Sequence, residues 1–360
     1  MRTIFVTKTF LPPIEEYMSF IERAYKNGWL TNRGELVKEL EDKLSTFLNL
    51  KEARILCLTN GTIPLQIALK LLGKGGEIIT TPFSYVATTA AIVWENCTPV
   101  FVDIHPEYLT IDETQIEAAI TEKTTCILAT HVFGNPCNVV EIERIANKHN
   151  LKVIYDGAHC FGVKYNDKSI FEYGDICTTS FHATKLFHSG EGGAMFTKDE
   201  DLYNQIVLSH SFGHVGDEYF QLGINGKMSE LQAAMGLSVL PYIEEIIVKR
   251  KKNHQSYIWN LSDFFKSVKI RELTDYNYGY VPLIFNSEEE LNLVISKLKE
   301  NQIFPRRYFY PSLNTISFYA KNSTCVISEK ISSRVLCLPS YHELSEKEIA
   351  GISELIVKSL

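Results

Sequence analysis

The chain has no pair of cysteines in CxxC spacing, although it carries eight: Cys57, Cys97, Cys126, Cys137, Cys160, Cys177, Cys325 and Cys337. Most lie in apolar runs such as Thr124-Thr125-Cys126-Ile127-Leu128, where a free thiol packs as a small hydrophobe. This scatter argues against a disulfide framework or a zinc site and for a reducing, cytoplasmic setting. A partly exposed, reactive Cys160 beside His159 is the alternative reading for that one thiol. No apolar run approaches the roughly 20 residues of a membrane span. The N-terminal Met1 to Val6 lacks the apolar stretch of a signal peptide. Basic residues are not in excess: 36 Lys and Arg against 43 Asp and Glu give a net charge of -7. A nucleic-acid partner, which needs a basic face, is therefore not expected. HExxH, a Walker A loop and GxGxxG are all missing, and Gly73-Lys74-Gly75-Gly76 does not fit the dinucleotide pattern. Nor is there an internal repeat, a low-complexity segment or a linker-like tract.

What is present is an ordinary globular composition, 45% hydrophobic and 22% charged over 360 residues, enough for two domains. Residues 12–28 have a helical pattern, with Pro12 and Pro13 in a first turn and Ile14, Met18 and Ile21 on one side. Trp29-Leu30-Thr31-Asn32-Arg33-Gly34 breaks it, and an amphipathic helix follows through Leu36, Leu40, Leu44 and Phe47. Short apolar runs then alternate with helical patterns. Strands are expected at Ile55 to Leu58, Glu77 to Thr80, Pro99 to Asp103, Thr125 to Ala129 and Lys152 to Asp156. The helices between them include one from Thr62 through Leu72 and one from Val86 to Trp94. Such alternation predicts an α/β fold, a mostly parallel sheet with helices on both faces. Ligands bind beyond the carboxyl ends of such strands, which would gather Asn60-Gly61-Thr62, Phe83-Ser84-Tyr85, Asp156 and His159 on one edge.

After about residue 240 the pattern changes. A long helix carries Ile243, Ile246, Ile247 and Lys249-Arg250-Lys251-Lys252, whose charges read as a solvated face. A strand over Tyr278 to Phe285, a helix capped by Ser287, the run Val335 to Pro339 and a helix from Ser345 onward make a smaller α+β unit. The expected domains are 1–240 and 241–360.

Among chemical groups, Lys185 comes first. A lone lysine is ordinarily a solvated surface group, but this one sits among Ser180, His182, Thr184 and Ser189, with Phe181, Phe187 and then Gly190-Glu191-Gly192-Gly193. Burial or a neighbouring cation lowers a lysine's pKa and makes it a nucleophile. Imine formation with pyridoxal phosphate (PLP) is the chemistry such a site suggests. Asp156 ends a wholly apolar strand; it caps the next helix, pairs with a lysine, or holds a protonated pyridine nitrogen. His159 is either a structural histidine or a neighbour of the same ring. Asn60-Gly61-Thr62 opens a helix after a strand, an arrangement that serves as a turn with an N-cap or as a phosphate seat. Ser180 would add a hydroxyl there, and Tyr85 is either a rim aromatic or a stacking partner. Pro305-Arg306-Arg307-Tyr308-Phe309-Tyr310-Pro311 joins two permanent cations to aromatics, suited to a diphosphate or a carboxylate; a structural ion pair is the alternative for each arginine.

Taken together these segments resemble the DegT/DnrJ/EryC1/StrS sugar aminotransferases, which are fold-type I PLP enzymes. The resemblance covers nearly the whole chain. It rests on Trp29 to Gly34, Asn60-Gly61-Thr62, Thr81 to Thr88, Asp156-Gly157-Ala158-His159, Ser180 to Lys185 with Glu191-Gly192-Gly193, and Gly223 to Met228. It implies catalytic roles for Lys185 as the Schiff-base lysine, Asp156 as the pyridinium partner and His159 near the ring hydroxyl. Tyr85 takes the place of the stacking aromatic, and Gly61, Thr62 and Ser180 match phosphate contacts. Asn225 resembles a residue that reaches the phosphate from the second subunit of a homodimer, which implies shared active sites. The segment usually written Gly-Tyr-Asn-Tyr-Arg is Gly223-Ile224-Asn225-Gly226-Lys227 here, without its aromatics. Thr31, His182, Arg306, Arg307, Tyr308 and Tyr310 are the implied substrate contacts, and no metal is implied. Relatives with histidine for the lysine are dehydratases, so Lys185 implies transamination, with glutamate as amino donor. The motifs around Thr31 and Tyr308 resemble most the members that aminate a dTDP-linked keto-6-deoxy sugar, dTDP-4-keto-6-deoxyglucose, in O-antigen deoxyamino sugar biosynthesis. A 3-keto sugar aminotransferase and a non-catalytic PLP-binding regulator are the alternatives.

Overall fold

A computed structural model describes residues 2–319 and 323–360. A seven-stranded sheet carries the site. Its strands are β1 (Arg54–Leu58), β2 (Glu77–Thr80), β3 (Thr98–Phe101), β4 (Thr124–Thr130), β5 (Lys152–Asp156), β6 (Ile176–Ser180) and β7 (Gly193–Thr197). They lie in the order β1-β7-β6-β5-β4-β2-β3. All neighbours are parallel except at β7, which runs antiparallel to β1 and β6. The fold is therefore the mostly parallel α/β sheet expected of the sequence.

The strands read as continuous apolar runs because both faces are covered. Side chains alternate across a strand, so Ile127, Ala129, Val153 and Tyr155 enter one core cluster while Cys126, Leu128 and Ile154 enter another. The helix Glu35–Phe47 packs into the first cluster through Leu36, Leu40 and Leu44. The helix Thr62–Ala68, continued by a wider turn over Leu69–Gly73, packs into the second. A third cluster joins Ile4 to Tyr257, Leu261, Leu283, Leu336 and Ile356. Residues Ile4–Phe5 pair in parallel with Ile303–Phe304, whereas Ile243 and Ile246 belong to the first cluster. Packing thus crosses residue 240 in both directions.

Several local expectations change. The first helix spans Ile14–Asn27, and Pro13, at ψ 132, stands before it in extended backbone rather than in its first turn. Ile14 and Met18 are exposed, and the face turned to the core carries Tyr17, Phe20, Ile21 and Ala24. The strand read over Tyr278 to Phe285 shortens to Pro282–Ile284, the stretch that pairs with Val335–Cys337, and Tyr278 takes a left-handed φ of 55 outside it. The third strand ends at Phe101, leaving Asp103 to accept the N–H groups of Ile327 and Ser328. On the helix Ile243–Leu261, Lys249, Lys251 and Lys252 are exposed as read, but Arg250 is buried and donates to the Gly279 carbonyl. The helical stretch Glu230–Leu261 is long and apolar enough to cross a membrane by length and composition. Its Ala233, Ala234, Leu237, Val239, Ile243 and Ile246 are instead core residues. Ser287 caps its helix as expected, and Ser345 caps the helix that follows it, each accepting an N–H in the first turn.

Candidate active site

Asp156 is the last residue of β5, paired across to Thr130 of β4 and Thr178 of β6. Only 6% of it is exposed. Oδ2 accepts the Thr88 hydroxyl at 2.7 Å and Oδ1 accepts the Ala158 N–H at 3.0 Å. Both oxygens are thus fixed, and the carboxylate is presented from the middle of the sheet edge. Thr88 escapes a residue-by-residue reading, because a threonine in a small-residue helix carries no signal of its own.

Lys185 follows β6 on a turn that folds back, with Ala183 N–H donating to the Gly190 carbonyl and Lys185 N–H to that of His182. Its amine is pushed down from 10.5 to about 8, chiefly by burial and further by Arg306, while Asp156 and Cys160 act in the opposite direction. A neutral amine is therefore accessible near neutral pH, as a nucleophile requires.

The turn after β1 is tightly made. Asn60 Oδ1 accepts the N–H groups of both Thr62 and Ile63 at 2.9 Å. The helix start is thus capped from within, so the seat is narrower than free N–H groups throughout the turn would give. Gly61 lies against Ser180: a Cβ there would come 2.6 Å from the Ser180 Cβ. Only glycine permits that approach. The hydroxyls of Thr62 and Ser180 make no donation among the described residues. Gly193 is equally constrained, since its Cβ would meet the Asn60 carbonyl oxygen at 2.3 Å.

One cavity of about 760 Å³ joins these groups, within the usual range for a small-molecule site. Gly61, Thr62, Tyr85, Asp156, His159, Ser180, His182, Lys185, Arg306 and Tyr308 all line it. His159 is buried, and its imidazole is pushed well below the usual range by burial and then by Lys185. Tyr85, half exposed at the N-cap of the helix Val86–Trp94, offers its ring at the mouth. His182 lies 3.6 Å from Glu191 there, its Nδ1 2.8 Å from the Thr184 hydroxyl. Arg306 sits over the Tyr308 ring at 4.7 Å.

Four of the sequence-derived residues are not brought to this cavity within one chain. Thr31 and Asn225 are exposed on loops. Tyr310 is half exposed, and Arg307 stacks on its ring at 3.4 Å while donating to Glu288 and the Ser333 carbonyl. Cys160 is fully buried and its thiol is raised well above the usual value, chiefly by burial, so the reactive reading of it fails. All eight cysteines are buried. Sequence reasoning missed Gln232, which lines the cavity and donates to the carbonyls of Thr59 and Glu191, both at 2.9 Å. Its signal was the Ser229-x-x-Gln232 capping box.

The donor set fits PLP. An aldehyde needs a reachable amine, its ring nitrogen an anion, and its phosphate a cradle too tight for a side chain; Lys185, Asp156 and the Gly61–Ser180 approach supply these.

Comparisons with known proteins agree. A model of the DegT/DnrJ/EryC1/StrS aminotransferase family matches residues 14–357. A dTDP-4-amino-4,6-dideoxy-D-glucose transaminase of Shigella dysenteriae is 38% identical over 376 residues, covering 100% of this chain and 98% of its own. One of Escherichia coli is 39% identical over 371 residues, covering 99% and 98%. The solved structure of DesI in the presence of its TDP-sugar product superposes with a TM-score of 0.94 at 29% identity, over 100% of this chain and 93% of that one.

Proposed function

Since the chain belongs to the DegT/DnrJ/EryC1/StrS aminotransferase family, whose members are PLP-dependent sugar aminotransferases, we propose that it transfers an amino group from glutamate to dTDP-4-keto-6-deoxyglucose. The product would be dTDP-4-amino-4,6-dideoxyglucose. The observation that carries the reading is the meeting of Lys185, Asp156 and the Gly61–Ser180 cradle in one cavity. Two full-length relatives named for that product support the sugar and the carrier.

Bound PLP supplies an aldehyde that holds the amino group covalently and a ring that accepts the electrons left when a proton leaves the carbon beside it. The chain's residues do the rest. Lys185 would hold the aldehyde, and its amine would take the proton from the donor's Cα and deliver a proton in the reverse half. Asp156, fixed by Thr88 and the Ala158 N–H, keeps a proton on the ring nitrogen. Gly61, Thr62 and Ser180 would receive the phosphate, Tyr85 would cover the ring, and His159 would serve its hydroxyl. Arg306, Tyr308 and His182 meet the incoming substrates, with Arg306 suited to a diphosphate or a carboxylate.

A second copy of the chain completes the site. Asn225 and Thr31 stand on exposed loops that also display Trp29, Leu30, Phe212, Tyr219, Phe220 and Leu222, an apolar concentration that a homodimer interface would cover. A cytoplasmic setting accords with eight buried free thiols, and the chain divides into a large domain over 1–240 and a smaller one over 241–360. The natural place of such a product is in deoxyamino sugars of surface polysaccharide such as O-antigen.

The test supplies purified protein with PLP, glutamate and either dTDP-4-keto- or dTDP-3-keto-6-deoxy sugar. Amine at C4 in the NMR spectrum of the product is the expected result. Turnover of the 3-keto sugar alone would replace the reading, and turnover of neither would leave a PLP-binding regulator.

A further inference from the structure

His159 is held by residues that no motif marks. Its Nδ1 accepts the Phe133 N–H at 3.1 Å. Phe133 is presented by a turn in which it takes φ 57 and Gly134 φ 86. A Cβ on Gly134 would lie 3.0 Å from both the Asn277 Oδ1 and the His159 carbonyl oxygen, so this turn closes only around glycine. The Phe133 carbonyl accepts the Tyr276 hydroxyl at 2.8 Å. Asn277, 1% exposed, donates through Nδ2 to the His159 carbonyl at 2.9 Å and to that of Phe161 at 3.0 Å. Its Oδ1 accepts the Gly279 N–H at 3.0 Å, and the Gly279 carbonyl accepts Arg250 Nη1 at 2.9 Å. The Tyr280 ring then lies 4.4 Å from the imidazole, with Phe309 parallel to it at 5.7 Å.

An N–H aimed at Nδ1 requires a lone pair there, so the proton of the neutral ring sits on Nε2. The backbone, whose N–H cannot turn into an acceptor, fixes that choice. Burial first, and Lys185 second, disfavour a second proton. His159 lines the cavity, and with Nδ1 engaged Nε2 is the nitrogen left to serve it.

We propose that the Phe133 N–H selects the neutral Nε2–H tautomer of His159, a hydrogen-bond donor to the ring oxygen of the cofactor, and that residues 276–280 form a clamp, with Asn277 at its centre, that keeps this N–H and the imidazole in register by holding the backbone of both residues. Asn277 acts as a positioning residue, since it touches the backbone of His159 and does not line the cavity. A group carried by the large sheet is thereby set by chain beyond residue 241. The acceptor rests on the PLP reading given above; the tautomer does not.

The test labels the histidines of the full-length protein with ¹⁵N and reads two-bond proton–nitrogen spectra with and without PLP, using His159→Gln for assignment. Wild type should show a single neutral form with the proton on Nε2. A proton on Nδ1, or a mixture, overturns the proposal. Asn277→Ala should release a mixture of tautomers, shift the visible absorption of the PLP-loaded protein and weaken PLP binding about ten-fold, the worth of roughly one hydrogen bond. Because that variant removes several buried bonds, Tyr276→Phe serves beside it, removing only the hydroxyl; smaller changes in the same directions are expected. Unchanged tautomer and absorption in both variants would overturn the clamp. Failure of wild type to bind PLP would instead overturn the cofactor reading and the acceptor named here.

Discussion

The cofactor end of the cavity and its substrate end are built on different principles. At the first, Asp156 ends a buried strand with both oxygens engaged, and Gly61 is packed to within a Cβ of Ser180. At the second, Arg306 leans on Tyr308 from a loop, His182 meets Glu191 at the mouth, and Thr31 and Asn225 are exposed on other loops. The groups proposed to act on the cofactor are set by sheet register and glycine contacts. The groups proposed to receive substrates stand outside the large sheet, and Thr31 and Asn225 would meet the cavity only from a second copy of the chain. The contrast accounts for why one fold keeps its chemistry while its sugars differ.

Substitutions at the two ends should therefore fail differently. The largest effect is expected for Lys185→Ala, which removes both anchor and proton carrier: turnover should fall by at least about 10³-fold, with far-UV circular dichroism unchanged. Asp156→Asn should lower kcat by roughly 10²-fold, the worth of a charge-assisted hydrogen bond, and leave the KM for the sugar nearly unchanged. Arg306→Ala should do the reverse, raising KM about ten- to a hundred-fold with kcat least affected; steady-state kinetics separate the two. Smallest is Arg307→Ala. Its partners are Glu288, the Ser333 carbonyl and Tyr310, so a modest loss of thermal stability without a kinetic change is expected, and a changed KM would move Arg307 into the site.

A pH series sharpens the same contrast. Lys185 attacks PLP only when deprotonated, and its amine loses its proton at about 8. Capture of PLP by the cofactor-free protein should thus rise about ten-fold per pH unit below that value and level off above it. Arg306 presses the amine downward and Asp156 upward. Arg306→Ala should accordingly move the inflection to higher pH, and Asp156→Asn to lower pH, in stopped-flow absorbance.

How far the sequence could be read follows the same division. Strand ends, glycines and the lysine lie in short contiguous motifs whose periodicity and turn chemistry are local, and the structure brings Gly61, Asp156, Ser180 and Lys185 of them to one cavity. Thr88, Gln232 and Asn277 were not marked as site residues, because each acts through a partner distant in the chain. Arg250 read as one of a solvated basic run, yet helical spacing turns it inward onto Gly279 while its neighbours face solvent. Ile14 and Met18 read as a core face but are exposed, since hydrophobic spacing alone does not fix which side of a helix meets the core. Arg307 could not be separated from Arg306 by type or position; only the presence of Glu288 beside one of them does so.

The most direct measurement is to load the protein with PLP, reduce it with borohydride, digest it and map the modified peptide by mass spectrometry. A single pyridoxyl group on Lys185, lost when the protein is first treated with glutamate, is the predicted result. A label on another lysine, or no label on a folded protein, would contradict the assignment of this cavity as the site of amino transfer.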